Sequence, residues 1–178
     1  MTDVQAQEEH DALAAARNIA LRQLSHSPKT RYQLEKTLLK KEVSAELIAE
    51  VLDRLTEVGL VDDQAYAELF VRSRCMAKKI SRSSLARELR AKGVADELAQ
   101  VALAGISDDD EYQLAREAAE KKLRSMRGLS EQVVVRRLFG MLARKGYSAG
   151  VASKVLKSLE LDSDNLTRGD YYLADGEH

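Results

Sequence analysis

Apolar residues recur along this chain in a pattern that repeats three times. Each copy reads Leu-x3-Leu-x2-Lys-(Gly/Glu)-(Val/Tyr), and successive copies begin 51 and then 53 residues apart. The copies are Leu34–Val43, Leu85–Val94 and Leu138–Tyr147. Because residues four apart lie on one face of an α-helix, each copy predicts a helix that buries its leucine pair.

A second apolar stripe follows each copy. The residues four, eight and twelve positions after the end of each copy are all apolar, which is the spacing of a single helix face. These nine residues are Leu47, Val51, Leu55, Leu98, Ala102, Ile106, Val151, Val155 and Leu159. Each copy is therefore predicted to continue, after a short turn, into an amphipathic helix.

The turn between the two helices has its own chemistry. The pairs Lys92-Gly93 and Lys145-Gly146 combine a cation in the last turn of a helix with a glycine that can adopt the left-handed conformation. Glu42 stands where the first copy would have that glycine. A left-handed turn there would cost on the order of 1 kcal/mol, and a turn of different shape is the alternative.

Capping residues mark where the helices begin. Ser44 and Ser148 are expected to cap the last helices of the first and third copies, with Asp96 as the nearest equivalent in the second. Upstream, Ser27-Pro28 predicts a helix with proline at its first position. A further helix precedes each leucine pair, over residues 11–25, 63–79 and 110–126.

Nine helices in three similar groups predict an all-α protein. We expect three tandem three-helix, helix-turn-helix-like repeats that form an elongated curved array, since units of this size must share apolar surface with their neighbours. The expected division is a disordered acidic N-terminal segment over 1–10, repeats over 11–61, 62–106 and 107–161, and a disordered acidic C-terminal tail over 162–178.

The amino-acid composition is typical of a helical protein, and the sequence also bears on the cellular location. Hydrophobic residues make up 44% and charged residues 32% of the 178 residues, with no Trp and one Pro. The polar, acidic start lacks the features of a signal peptide, and no apolar run approaches the roughly 18 residues that a membrane helix needs. We therefore expect a cytoplasmic protein without a membrane partner.

The net charge of −1 hides two basic blocks. Residues 64–105 carry a net charge of +4 and residues 112–160 a net charge of +7, whereas residues 106–111 and 161–178 each carry −4. This distribution favours an anionic or mixed-charge partner, although solvated helix faces would also account for it. The candidate contact residues are Arg72, Arg74, Lys78, Lys79, Arg82, Arg87, Arg90, Lys92, Lys121, Lys122, Arg124, Arg127, Arg136, Arg137, Arg144 and Lys145.

Signs of catalysis are weak. The nine glycines form no phosphate-binding loop, and the three histidines are scattered along the chain. Cys75 is better interpreted as a half-buried packing residue than as a nucleophile, and the acidic run over 108–111 as a helix cap rather than a metal site. We expect no catalytic, cofactor or metal site, no small-molecule substrate, and no enzyme activity.

The densest motifs lie between Gly59 and Val94. Gly59-Leu60-Val61-Asp62-Asp63-Gln64-Ala65-Tyr66-Ala67 is followed by Arg72-Ser73-Arg74 and then by LARELRAKGV over 85–94. This sequence resembles the RecX family, whose recognisable core is a Gly-(Leu/Tyr)-(Leu/Val/Ile)-Asp-Asp turn, an Arg-rich helix and a Leu-x2-(Glu/Lys)-Leu-x2-Lys-Gly helix. The resemblance covers residues 17–160.

The resemblance implies a function in recombination. RecX-type proteins lie in the groove of the RecA–DNA filament and inhibit filament growth, strand exchange and the associated ATP hydrolysis. The resemblance therefore implies a non-enzymatic regulator of DNA repair and the SOS response that contacts the RecA filament, with single- or double-stranded DNA in the filament groove as a further candidate partner. The alternatives are a helix-turn-helix transcriptional regulator that binds DNA directly and an inert helical scaffold.

Overall fold

The computed structural model describes residues 3–161 of the chain. All regular secondary structure in this part of the chain is α-helical, with nine helices and no strand. This confirms the predicted all-α fold of three three-helix groups. The helices are α1 (Asp3–His26), α2 (Arg31–Leu39), α3 (Ala45–Glu57), α4 (Asp63–Lys78), α5 (Arg82–Ala91), α6 (Asp96–Ala104), α7 (Asp108–Leu123), α8 (Glu131–Arg144) and α9 (Ala149–Ser158).

The chain divides into two compact units, and the boundary between them runs through the middle group of helices. Within the described residues, the first unit contains residues 3–71 and 87–102, and the second contains residues 72–86 and 103–161. Each unit therefore combines one terminal three-helix group with the parts of the middle group that pack on it.

The leucine pairs form the centre of each hydrophobic core. All six pattern leucines are 0% or 1% exposed. In the first unit, Leu34 and Leu38 pack with Val51, Leu52 and Leu55 of α3. In the second unit the corresponding cluster joins Leu138, Leu142, Val155 and Leu156 to small residues of α7. The predicted buried pairs are confirmed, and each buried leucine contributes roughly 1.5 to 3 kcal/mol.

The first helix begins earlier than the sequence pattern indicated. α1 starts at Asp3, not at residue 11, so residues 3–10 are helical where disorder was expected. This segment is rich in Gln, Ala and Glu, which are good helix formers, and the side chains of residues 7–10 are exposed. A helix can therefore form here without the apolar face that would have revealed it. The predicted disordered tail over 162–178 lies outside the described residues.

The last helix of each three-helix group begins where the sequence predicted in two of the three groups. Ser44 and Ser148 accept hydrogen bonds from the amides of Leu47 and Val151, as expected of N-caps. Asp96 instead lies inside α6 as its first residue and forms an ion pair with Arg90 at 2.9 Å. Because Asp96 is helical, its carboxylate does not cap α6 but interacts favourably with the positive end of the helix dipole.

The predicted start of α2 at Pro28 was wrong. α2 begins at Arg31, and Thr30 is its N-cap. The Thr30 hydroxyl accepts from the Gln33 amide at 3.2 Å, while the Gln33 side chain accepts from the Thr30 amide at 3.1 Å. This reciprocal capping box satisfies two helix donors at once, which proline could not do.

All three turns after the leucine helices adopt the left-handed conformation. Gly93 has φ +80° and Gly146 has φ +86°. Glu42 has φ +59°, so the first turn keeps the common shape despite having a side chain at this position. Of the two alternatives for Glu42, the structure therefore has the strained left-handed turn, at a cost of about 1 kcal/mol.

Candidate functional site

In the first unit, the N-terminus of α2 packs against residues of the middle three-helix group. The hydroxyl of Thr30 donates to the carbonyl of Lys92 at 2.6 Å. The Arg31 amide donates to the Asp63 carboxylate at 2.8 Å. A Cβ atom at Gly93 would lie 2.2 Å from the Cβ of Tyr32, so only glycine allows this close approach. We call this set of contacts the α2 joint.

In the second unit, the N-terminus of α5 makes the corresponding set of contacts with the third three-helix group. The Ser81 amide donates to the Lys145 carbonyl at 3.1 Å, and the Ser83 hydroxyl donates to the Gly146 carbonyl at 2.9 Å. The Arg82 amide donates to the Glu111 carboxylate at 2.9 Å. We call this set the α5 joint, and its resemblance to the α2 joint shows that one packing rule is used twice.

The α5 joint is extended by the end of α4. The hydroxyl of Tyr147 donates to the Lys79 carbonyl at 2.9 Å, and the ammonium group of Lys145 donates to the Lys78 carbonyl. Tyr147 is 4% exposed, and burial raises its pKa strongly. Lys79 itself has φ +48°, a left-handed conformation that turns the chain from α4 toward α5.

Four lysines meet around this end of α4, and we call them the lysine cluster: Lys78, Lys79, Lys121 and Lys145. Lys79 forms an ion pair with Glu117 of α7. Lys121 lies one helical turn after Glu117 on the same helix, so it is brought to the same region. Four cations from three separate segments of the chain are thereby gathered on the second unit.

The electrostatics of Lys145 reflect this crowding. Its side chain is half-buried, and loss of hydration is the largest cause that lowers its pKa. The positive charges of Lys121, Lys78 and Lys79 lower the pKa further. Positive charge is therefore concentrated around Lys145, while Glu117 offsets the charge of Lys79.

Some of the candidate cations make intramolecular contacts. The guanidinium of Arg82 pairs with Glu111 at 2.9 Å and with Asp108, while Arg90 pairs with Asp96. The ammonium group of Lys92 lies 5.4 Å from the centre of the Phe70 ring. These three cations have a structural role that their sequence positions did not reveal.

Most of the remaining candidates are exposed. The side chain of Arg144 lies beside Gly140, its Nη1 atom 3.4 Å from where a Cβ would stand. Arg74 is half-buried, and Arg87 is exposed on the first unit. The exposed candidates that belong to the second unit, besides the lysine cluster, are Arg72, Lys122, Arg124, Arg127, Arg136, Arg137 and Arg144.

Cys75 and the acidic run over 108–111, the features considered for catalysis and metal binding, lie in surroundings typical of packing and helix-capping residues. Cys75 is half-buried, and burial together with the charge of Asp110 raises the pKa of its thiol, which disfavours the reactive thiolate. Asp110 forms a capping box with Ser107, which confirms that the acidic run caps α7. Among the residues whose side chains the structure describes, no three metal-ligating groups lie close enough together to hold an ion.

Sequence reasoning missed the residues that form the two joints. Thr30, Ser83 and Tyr147 bind carbonyl groups 62 to 68 residues away in the chain, and no local pattern encodes such pairs. One signal was present. The Thr-x-x-Gln spacing from Thr30 to Gln33 is that of a capping box and would have placed the start of α2 correctly.

Comparison with known proteins assigns the chain to a family. Models of the first, second and third three-helix domains of RecX match residues 16–55, 62–103 and 108–156, in that order. The chain belongs to the RecX family. Among the helices of the described chain, none combines the length and apolar character needed to cross a membrane.

RecX relatives match over most of their length. Regulatory protein RecX of Streptomyces coelicolor is 46% identical over 147 residues, which are 83% of this chain and 78% of the relative. Regulatory protein RecX of Thermobifida fusca is 43% identical over 156 residues, covering 88% and 84% of the two chains. The crystal structure of RecX from Lactobacillus salivarius has a TM-score of 0.77 and 25% identity, and covers 86% of this chain and 99% of that structure.

Proposed function

We propose that this RecX-family protein is a non-enzymatic, cytoplasmic regulator that binds the RecA–DNA filament and inhibits RecA recombinase and ATPase activity, and so modulates DNA repair and the SOS response. The observation that carries the proposal is the match of all three RecX three-helix domains in order, together with relatives named regulatory protein RecX.

The charge distribution supports a partner made of protein and nucleic acid. Thirteen of the sixteen candidate cations belong to the second unit, whereas the first unit has acidic side chains exposed on α3 at Glu46, Glu50 and Asp53. A protein that binds DNA alone is usually basic throughout. A surface with both signs of charge fits a filament in which phosphates and protein side chains alternate.

The exposed faces of the last helices disfavour the alternative of a helix-turn-helix transcriptional regulator. A recognition helix needs Arg, Asn or Gln near its N-terminus to read base edges. α6 begins with Asp96 and Glu97, and α9 begins with Ala149 and Gly150. Carboxylates at this position would be repelled by the DNA backbone, and small residues make no hydrogen bonds to bases.

RecA ATPase activity on single-stranded DNA is the direct test. We expect substoichiometric amounts of the protein to lower the steady-state rate, and co-sedimentation with RecA filaments to weaken as salt is raised. A triple variant, Lys122→Glu, Arg124→Glu and Arg127→Glu, should inhibit less than the wild type. The matched control reverses the charge of two exposed lysines of the first unit, Lys40→Glu and Lys41→Glu, and should inhibit normally.

Two results would contradict the proposal. The first is an unchanged ATPase rate together with unchanged filament length at equimolar protein. The second is a defined footprint on duplex DNA in the absence of RecA, which would favour the transcriptional regulator. Equal inhibition by the triple variant and the wild type would remove the basic surface from the mechanism while leaving RecA as the partner.

A further inference from the structure

We propose that the segment over 162–178 folds back onto the second unit of its own chain, where Tyr171, Tyr172 and Leu173 occupy an apolar groove and cover Arg124 and Arg127. The docking itself needs no partner. Its consequence is that the docked segment weakens the inhibition of RecA. That consequence rests on the proposed function, because the two arginines are candidate contact residues.

The groove lies between the end of α7, the loop before α8 and the end of α9, and has a volume of about 680 Å³. Sites that hold small organic ligands have volumes of about 300 to 1,000 Å³. Met126 and Val134 in its lining are each 5% exposed, while Leu129 is 39% exposed. Leu123 and Leu161 complete the apolar lining and are half-buried against the core of the unit. The groove therefore offers apolar surface that several side chains could cover.

The chain itself leads into this groove. α9 ends in a left-handed turn at Glu160, φ +59°, after which the Leu161 amide donates to the Leu156 carbonyl at 3.0 Å. Leu161 is thereby held in the groove lining, and the segment over 162–178 continues from that point. An extended chain spans up to about 35 Å over ten residues, so Tyr171 is within reach of the whole groove.

The covalent connection also favours this occupant. A tethered segment meets its site at an effective concentration in the millimolar range. A contact that would be too weak between separate molecules is therefore populated within one chain. No large interface is needed, and three adjacent side chains are enough to cover the exposed part of the groove.

The composition of the segment identifies the residues that dock. Residues 162–178 are mainly polar or acidic, yet Tyr171, Tyr172 and Leu173 stand together among them. Segments that make no packed contacts are usually poor in aromatic residues. Tyrosine buries a large apolar area at a low cost in conformational entropy. An adjacent pair of tyrosines in an acidic segment therefore indicates a docking motif.

The charges beside the groove fit those beside the tyrosines. Asp170 and Asp175 flank the docking residues, and residues 161–178 carry a net charge of −4. Arg124 and Arg127 line the groove and are exposed, and in the part of the chain that the structure describes no carboxylate forms an ion pair with either. Three glutamates also line the groove: Glu120, Glu131 and Glu160. Because the lining has both signs of charge, apolar burial supplies the attraction and the arginines determine where the flanking acids lie.

NMR relaxation of the ¹⁵N-labelled full chain, without RecA or DNA, tests the docking. In the wild type the backbone order parameters of residues 171–173 should exceed about 0.6, the value below which a backbone is flexible. Leu129→Ser removes an exposed apolar side chain from the groove and should lower them below that value. The matched control is Met76→Ser in the same unit, where the side chain is 78% exposed and does not line the groove. This control should leave the order parameters unchanged.

A variant of the segment provides the reciprocal measurement. Tyr171→Ser with Tyr172→Ser should shift the amide resonances of Leu123, Leu129 and Leu161, whereas Leu166→Ser, which removes another apolar residue of the segment, should not. Flexible residues 171–173 in the wild type would refute the docking. Order that persists unchanged in Leu129→Ser would refute the groove as its site. Order that is lost on tenfold dilution would show that a second copy supplies the occupant, and would overturn the intramolecular assignment.

The consequence for inhibition is measured as RecA ATPase activity on single-stranded DNA. If docking is roughly 80% complete, about one-fifth of the molecules expose Arg124 and Arg127, so the double tyrosine variant should reach half-inhibition at up to about a fivefold lower concentration. Leu166→Ser should inhibit like the wild type. Equal potency of the double variant and the wild type would refute the autoinhibitory effect. A wild type that does not inhibit at all would instead refute the proposed function, while the NMR measurements would still decide the docking.

Discussion

Gly146 is the residue at which the α5 joint is most sensitive to substitution, and Gly146→Ala is the sharpest test of the packing described above. A Cβ at this position would lie 2.1 Å from the Ser84 hydroxyl oxygen and 2.5 Å from that of Ser81. Both distances are far below van der Waals contact, so at least one serine must move. Ser81 is 1% exposed, and its hydroxyl accepts the Ser84 amide as the cap of α5.

The cost has two parts. The left-handed conformation, φ +86°, costs alanine about 1 kcal/mol relative to glycine. Displacing the serines adds about 1 to 3 kcal/mol, because the added methyl group overpacks the site and disturbs the cap of α5. Gly146→Ala should therefore lower the free energy of unfolding by about 2 to 4 kcal/mol.

Gly128→Ala is the matched control in the same unit. Gly128 has φ +82°, but nothing lies within 4 Å of where its Cβ would be. This variant should lose only the conformational part, about 1 kcal/mol. Urea unfolding followed by circular dichroism measures both variants. Equal destabilisation of the two would show that the close approach at Gly146 contributes nothing and would refute the description of the joint.

Two further predictions concern other residues. Glu42→Gly should raise the free energy of unfolding by about 1 kcal/mol, since Glu42 is exposed and left-handed; an unchanged urea midpoint would contradict the assigned strain. Tyr147→Phe should cost about 1 to 2 kcal/mol at pH 7, because the Lys79 carbonyl loses its donor. Folding raises the pKa of Tyr147, so the stability that this tyrosine contributes is complete below its unfolded pKa of about 10 and is lost as pH rises above it. The stability difference between wild type and Tyr147→Phe should therefore shrink in unfolding curves recorded above pH 10, and a constant difference would refute the burial of an un-ionised hydroxyl.

The turns after the leucine helices, and the caps beside them, illustrate why local features could be predicted from the sequence. Left-handed glycines, serine caps and leucine pairs each depend on residues within one or two helical turns, and such short-range preferences are recorded directly in the sequence. The same reasoning failed for residues 3–10, where a helix without an apolar face leaves no periodic signal. It also misplaced the start of α2, since proline is compatible with a helix start but does not require one.

The sequence by itself determined the helices, their grouping in threes and the membership of a family, because helical periodicity and capping are local properties of the chain. Only the tertiary structure decided the electrostatic surroundings of each cation. Arg82 and Lys121 look alike in the sequence, yet Arg82 is engaged by Glu111 and Asp108 while Lys121 joins three other lysines. The reason is physical: the energy of a charge depends on its distance to other charges in space, and folding sets those distances between segments that are far apart in the chain.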